Sequence, residues 1–71
     1  MNFQLHMGQV KWFDAIAGYG FISPRNGGDD VFVTLKSMAN KKIKSLSEGQ
    51  NVEFSVTRNS DGITAADVIA Y

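Results

Sequence analysis

The residues best suited to chemistry here are aromatic, and their spacing suggests stacking rather than catalysis. Tyr19 and Phe21 stand two apart, flanked by Gly18 and Gly20, and Phe32 lies in the run Val31-Phe32-Val33-Thr34. Trp12 and Phe13 precede them. Side chains alternate along a strand, so Tyr19 and Phe21 should share one face and Gly20 and Ile22 the other. By the same rule Phe32 and Thr34 oppose Val31 and Val33. The aliphatic face is the natural core, and Val10, Ile22, Val31, Val33, Val52, Phe54, Val56 and Val68 already supply one. A small barrel cannot also bury five large rings. Rings left outward form an apolar patch, which marks a binding surface. Unpaired nucleobases suit it, since each has a π-face and stacking contributes about 1–3 kcal/mol per base. The two glycines leave the ring of Tyr19 uncrowded. Adjacent Trp12 and Phe13 cannot both reach that face from a regular strand, and Phe13 is the one expected to leave it.

The surroundings narrow the function further. The chain has 71 residues, seven Lys/Arg against seven Asp/Glu, one His and no Cys. That length allows one domain, which buries only roughly 60% of the surface its unfolded chain exposes. Without cysteine there is no disulfide or cysteine-ligated zinc, and a lone His6 cannot build a metal site, so no metal or cofactor is expected. No apolar run approaches the roughly 20 residues of a membrane span, and residues 1–6 lack the regions of a signal peptide. The expectation is a cytoplasmic protein with no membrane partner. Zero net charge argues against a binder held by phosphate contacts alone. Locally, though, Lys36, Lys41, Lys42 and Lys44 form a basic stretch without an acidic member. An enzyme is not expected. Asp29 and Asp30 are sequence neighbours, and in a strand would point to opposite faces. The Gly27-Gly28 step has neither the lysine nor the helix of a phosphate loop.

Five short strands should position the rings, at residues 9–14, 19–23, 30–35, 51–58 and 63–69. Residues 15–18, Pro24 through Gly28, and Asn59 through Gly62 are the turn signals between them. Turns every ten or so residues without a long helix indicate an all-β barrel or sandwich. Leu35, Met38, Ala39, Ile43 and Leu46 fall at helical spacing, so a short amphipathic helix competes for part of 35–46. Asn40 and the lysines weaken it, and one helical turn near 36–39 followed by a loop is the expectation.

Five blocks carry a resemblance: Gly8-Gln9-Val10-Lys11-Trp12-Phe13-Asp14, Gly18-Tyr19-Gly20-Phe21-Ile22, Asp30-Val31-Phe32-Val33, Leu46-Ser47-Glu48-Gly49-Gln50-Asn51-Val52-Glu53-Phe54 and Ala65-Ala66-Asp67-Val68. In order and spacing they resemble the bacterial cold-shock protein family, from about Met7 to Ile69. The resemblance implies a five-stranded antiparallel Greek-key OB-fold barrel over 7–71, with residues 1–6 as an N-terminal extension. It also implies binding of single-stranded RNA or DNA on the second and third strands, in the manner of an RNA chaperone. On matching positions Lys11, Trp12, Tyr19, Phe21 and Phe32 inherit a binding role, and Asp30 is a candidate for polar base contacts. Phe13, Thr34, Leu35, Lys42 and Ile43 complete the candidate set.

Several positions depart from the family pattern. Ala17 replaces a usual lysine, Thr34 a histidine, Leu35 an aromatic and Ile43 a loop aromatic; Asp61 and Ile63 replace a basic residue and a proline. Losing two or three stacking partners at about 1–3 kcal/mol each weakens binding by orders of magnitude. Lys41, Lys42 and Lys44 stand where they can compensate electrostatically. The expectation is a reduced platform that binds weakly and with little base selectivity, in a monomer. The rival is a self-association or protein-interaction module, with Leu35 and Ile43 as packing surface and the 36–50 connection as a hinge for strand exchange.

Overall fold

The computed structural model describes residues 5–60 and 62–71. Its strands are β1 (His6–Asp14), β2 (Tyr19–Pro24), β3 (Val31–Thr34), β4 (Asn51–Asn59) and β5 (Gly62–Ala70), with a single 3₁₀ turn at Leu35–Ser37. They close into a barrel in the order β1-β2-β3-β5-β4. The all-β, five-stranded expectation is met, with one correction. β3 and β5 meet in parallel, Phe32 opposite Thr64, whereas the other seams are antiparallel. The third strand is also shorter than expected, because Asp30 and Leu35 fall outside the ladder.

The core is the aliphatic face that alternation assigns to β2 and β3. Ile22, Val31 and Val33 are buried with Val10, Val52, Phe54 and Val68, while Val56 packs half-buried against them. Met38, Leu46 and Ala65 join them, which the strand pattern did not reveal. Met38 and Leu46 reach the core without a helix across 35–46. Only one 3₁₀ turn forms there, one residue earlier than the expected helical turn, and the chain then crosses the barrel end. The crossing is tied to β5, where Ala39 N–H donates to Val68 C=O at 2.9 Å beside a Met38–Val68 bridge. Asn40 then turns the loop, its carbonyl and side-chain oxygens accepting from Ile43 and Lys42 N–H.

Two β-bulges reset the alternation. In β1, Val10 pairs with Ile22 but Trp12 pairs with Phe21, so Lys11 is an extra residue. In β5, Ile69 pairs with Glu53 and Ala66 with Ser55, leaving an extra residue between them. Asp67 occupies that step at φ 51°, a left-handed conformation. The bulge lets Ala65 and Val68, three apart, both turn inward, and it leaves Ile69 outward. An L-residue at this φ is under strain that glycine does not feel, and asparagine tolerates it better than β-branched residues. Asp67→Gly should therefore raise stability by about 0.5 kcal/mol and Asp67→Val lower it by about 1–2 kcal/mol. Urea midpoints check both.

β1 begins at His6, whose ring stacks on Phe54 at 5.8 Å between centroids. The readings that concern residues 1–4 and Asp61 lie outside the described residues. At the other end, the Tyr71 hydroxyl donates to Glu53 at 3.2 Å, and this bond holds the phenol above its usual pKa.

Candidate nucleic-acid interface

The β1 bulge makes the site. A regular register from Val10–Ile22 would set Lys11 opposite Phe21 and turn Trp12 inward beside Gly20. The extra residue instead puts Trp12 opposite Phe21 and Phe13 opposite Gly20. Lys11 and Trp12 consequently both face outward, and Phe13 turns in against the core. A Cβ on Gly20 would collide with the Trp12 carbonyl oxygen and stand 2.7 Å from Phe13 Cα. Only glycine admits the approach.

Four rings then meet on one outward surface. Trp12 lies 5.4 Å from Tyr19 and 6.1 Å from Phe21, and Phe32 lies 5.6 Å from each of Tyr19 and Phe21. The contacts close a square across three strands. Neighbouring rings are inclined by 36° to 65°, with Phe21 and Phe32 edge to face and the other pairs tilted, so none is covered by a parallel stack within the square. Trp12 remains 42% exposed and Tyr19 36%, while Phe21 and Phe32 are half-buried. Such exposure of large rings is what a stacking surface requires.

Polar groups border the square. Lys11 Nζ donates to Asp30 Oδ2 at 2.8 Å, with both side chains well exposed. An exposed pair of this kind contributes only about 0–1 kcal/mol, so a phosphate can take the ammonium at little cost and free Asp30 to accept from a base amine. Thr34 sits opposite Tyr19, with its hydroxyl 3.2 Å from that of Ser37. Leu35 is half-buried against the core, and its N–H donates to Gly18 C=O at 3.1 Å.

The structure separates the candidate residues into groups. Trp12, Tyr19, Phe21 and Phe32 form the square, Lys11 and Asp30 border it, and Thr34 and Leu35 stand at its end. Phe13 and Ile43 are half-buried and packed against the core. Lys42 is exposed in the loop after the 3₁₀ turn, as are Lys41 and Lys44. The rival reading is less favoured, because Leu35 and Ile43 are partly buried against the protein's own core.

The β1–β2 turn falls at 15–18 as expected, but its hydrogen bonding and the side chain it exposes were not read from the sequence. Asp14 Oδ1 accepts from Ile16 N–H (3.0 Å) and Ala17 N–H (3.1 Å), and Gly18 N–H donates to Asp14 C=O at 2.7 Å. This tight turn leaves Ile16 fully exposed at the edge of a groove that runs into the square. A large aliphatic residue in a turn was the available signal. Among the described residues no three metal-ligating side chains gather, and no helix is long and apolar enough to cross a membrane.

Comparison with known proteins agrees with this geometry. The family described as "'Cold-shock' DNA-binding domain" matches residues 6–71. The chain is 51% identical to the cold shock-like protein CspB of Yersinia pestis over 63 residues, covering 89% of this chain and 90% of that one. It is 48% identical to the cold shock-like protein CspE of Escherichia coli K12, covering 89% and 91%. Against the cold shock-like protein CspA of Vibrio cholerae the identity is 51%, with coverage of 89% and 90%. With its five-stranded barrel and outward aromatic square, the chain belongs to the cold-shock domain family.

Proposed function

We propose that this protein binds single-stranded RNA or DNA by stacking unpaired bases on the Trp12–Tyr19–Phe21–Phe32 square, and acts as a monomeric, cytoplasmic RNA chaperone without catalytic activity. The observation that carries this reading is the square itself, four rings in mutual contact on the solvent side of a barrel whose core is already full. The cold-shock domain relatives support the same ligand class. Paired bases hide their faces in a duplex, so a stacking surface binds open strands in preference to hairpins. By mass action it then pulls weak secondary structure open.

Affinity on this platform is low. Net charge is zero, and Ala17 and Thr34 supply neither a cation nor a ring. Lys11 and the exposed lysines at 36, 41, 42 and 44 are left to meet phosphates, each adding about 0.7 to the log–log salt slope on a single strand.

Titration with oligo-dT and oligo-rU, followed by Trp12 fluorescence, tests the reading. Quenching that saturates and weakens with salt is the expected result; no quenching at high micromolar strand and low salt removes it. Thr34→His extends the platform beside Tyr19, and roughly tenfold tighter binding is expected from one added stacking partner.

A further inference from the structure

The turn between β2 and β3 carries a reactive pair of residues. Its tip reads Arg25-Asn26-Gly27-Gly28, and every residue from Arg25 to Asp30 is exposed. Of the asparagines in the chain, Asn26 alone precedes glycine; Asn2, Asn40, Asn51 and Asn59 precede Phe3, Lys41, Val52 and Ser60. Gly27 sits at φ 83°, and nothing stands within 4 Å of where its Cβ would be. No side chain therefore screens its nitrogen from the Asn26 amide carbon, with which it can close a five-membered ring. One hydrogen bond holds each reactant: Gly27 N–H donates to Pro24 C=O at 3.1 Å, and Asn26 Oδ1 accepts from Gly28 N–H at 3.0 Å. An exposed turn held so lightly opens at small cost, whereas Asn51 is fixed in the β4 ladder.

We propose that Asn26 is a self-modifying site: it deamidates through attack by the Gly27 nitrogen, and the carboxylate formed weakens strand binding. The second half rests on the single-strand reading above; the first does not. A base in the solvent takes the Gly27 amide proton, and the nitrogen bonds to Asn26 Cγ. The Cγ–Nδ2 bond then breaks and ammonia departs, leaving a cyclic imide. Water adds to either imide carbonyl, and cleavage of that C–N bond yields aspartate or isoaspartate. The net change is amide plus water to acid plus ammonia, with no oxidation. The new charge joins Asp29 and Asp30 in the loop that borders the square, and it tips the balance of seven basic and seven acidic side chains. A unit charge about 10 Å from a phosphate in water weakens binding roughly twofold. Isoaspartate also lengthens the backbone between β2 and β3, whose pairing sets Phe21 opposite Phe32.

Holding the chain in mildly alkaline buffer, then applying ion exchange and peptide mass mapping, tests the chemistry. A more acidic species should accumulate, with the amide-to-acid mass change at Asn26, and Asn26→Gln should abolish it. Absence of that species from the folded chain, even where the urea-unfolded chain forms it, overturns the proposal. So does modification no faster at Asn26 than at the other asparagines. The consequence is read by Trp12 quenching at low salt, where Asn26→Asp should bind oligo-dT about twofold more weakly than the parent. This variant keeps the oxygen that accepts from Gly28 N–H, so its urea midpoint should match the parent's. Equal affinity overturns the second half alone. A parent that fails to bind oligo-dT overturns that half together with the single-strand reading, while the mass result still decides the first.

Discussion

Gly20→Ala should lower stability by about 2–4 kcal/mol, against a total of roughly 4–11 kcal/mol for a domain of this size. The reason is geometric. The added methyl meets the Trp12 carbonyl oxygen and Phe13 Cα, which are main-chain atoms, and also stands 2.8 Å from Phe13 Cδ1. A flexible side chain could rotate away; a bulged backbone inside a closed barrel cannot. The strands must either separate, losing ladder hydrogen bonds between β1 and β2, or abandon the bulge. Abandoning it would turn Trp12 inward and Phe13 outward, trading a half-buried phenyl for an indole. Urea denaturation with circular dichroism measures the loss. A midpoint within error of the parent's would show that Gly20 is not what permits the bulge. In any folded fraction, Trp12 emission should also shift, since the indole no longer rests on Tyr19 and Phe21.

Phe32→Ala should weaken binding of short oligo-dT by roughly 10- to 100-fold, within the 1–3 kcal/mol range for a stacking partner. Among the square's rings, Phe32 alone comes from β3, and it contacts both β2 rings at 5.6 Å. Its removal takes away one stacking face and also frees Tyr19, which then loses orientation before the base arrives. The effect should exceed that of Lys11→Gln, which removes one phosphate contact already shared with Asp30. Because Phe32 is half-buried and points away from the core, most of the change should appear in affinity and not in the denaturation midpoint. Titration at fixed salt, alongside a urea melt, separates the two. A variant that binds as the parent does would place the strand somewhere other than the aromatic square.

The two predictions divide along a line that runs through the whole protein. The inward and outward faces of β2 and β3 were legible in the chain, because strict alternation holds from Tyr19 to Ile22 and from Val31 to Val33 and these strands contain no bulge. The turn residues were equally legible, since Pro24 and Gly27 have backbone requirements of their own. Trp12 was harder. Phe13 was the ring expected to turn in, yet alternation from the buried Val10 would by itself turn Trp12 inward, and it is the bulged register with β2 that brings Trp12 out.

That register is not a local property. It arises because β1 must coil around a small barrel and pair with both β2 and β4, and the extra residue at Lys11 relieves the mismatch. The same holds at Asp67, where the bulge shifts the inward phase from residue 67 to Val68. Leu35, Ile43, Met38 and Leu46 make the point from the other side. Their spacing read as a helix face, yet they reach the core from a crossing segment anchored on β5. Residue type and spacing therefore settled which side chains are fit to stack, and which two strands would present them. Whether the rings meet, how Trp12 comes to face outward two residues after the buried Val10, and what the β1–β2 turn exposes beside them were decided by barrel closure, because pairing between distant strands overrides the period of any single one.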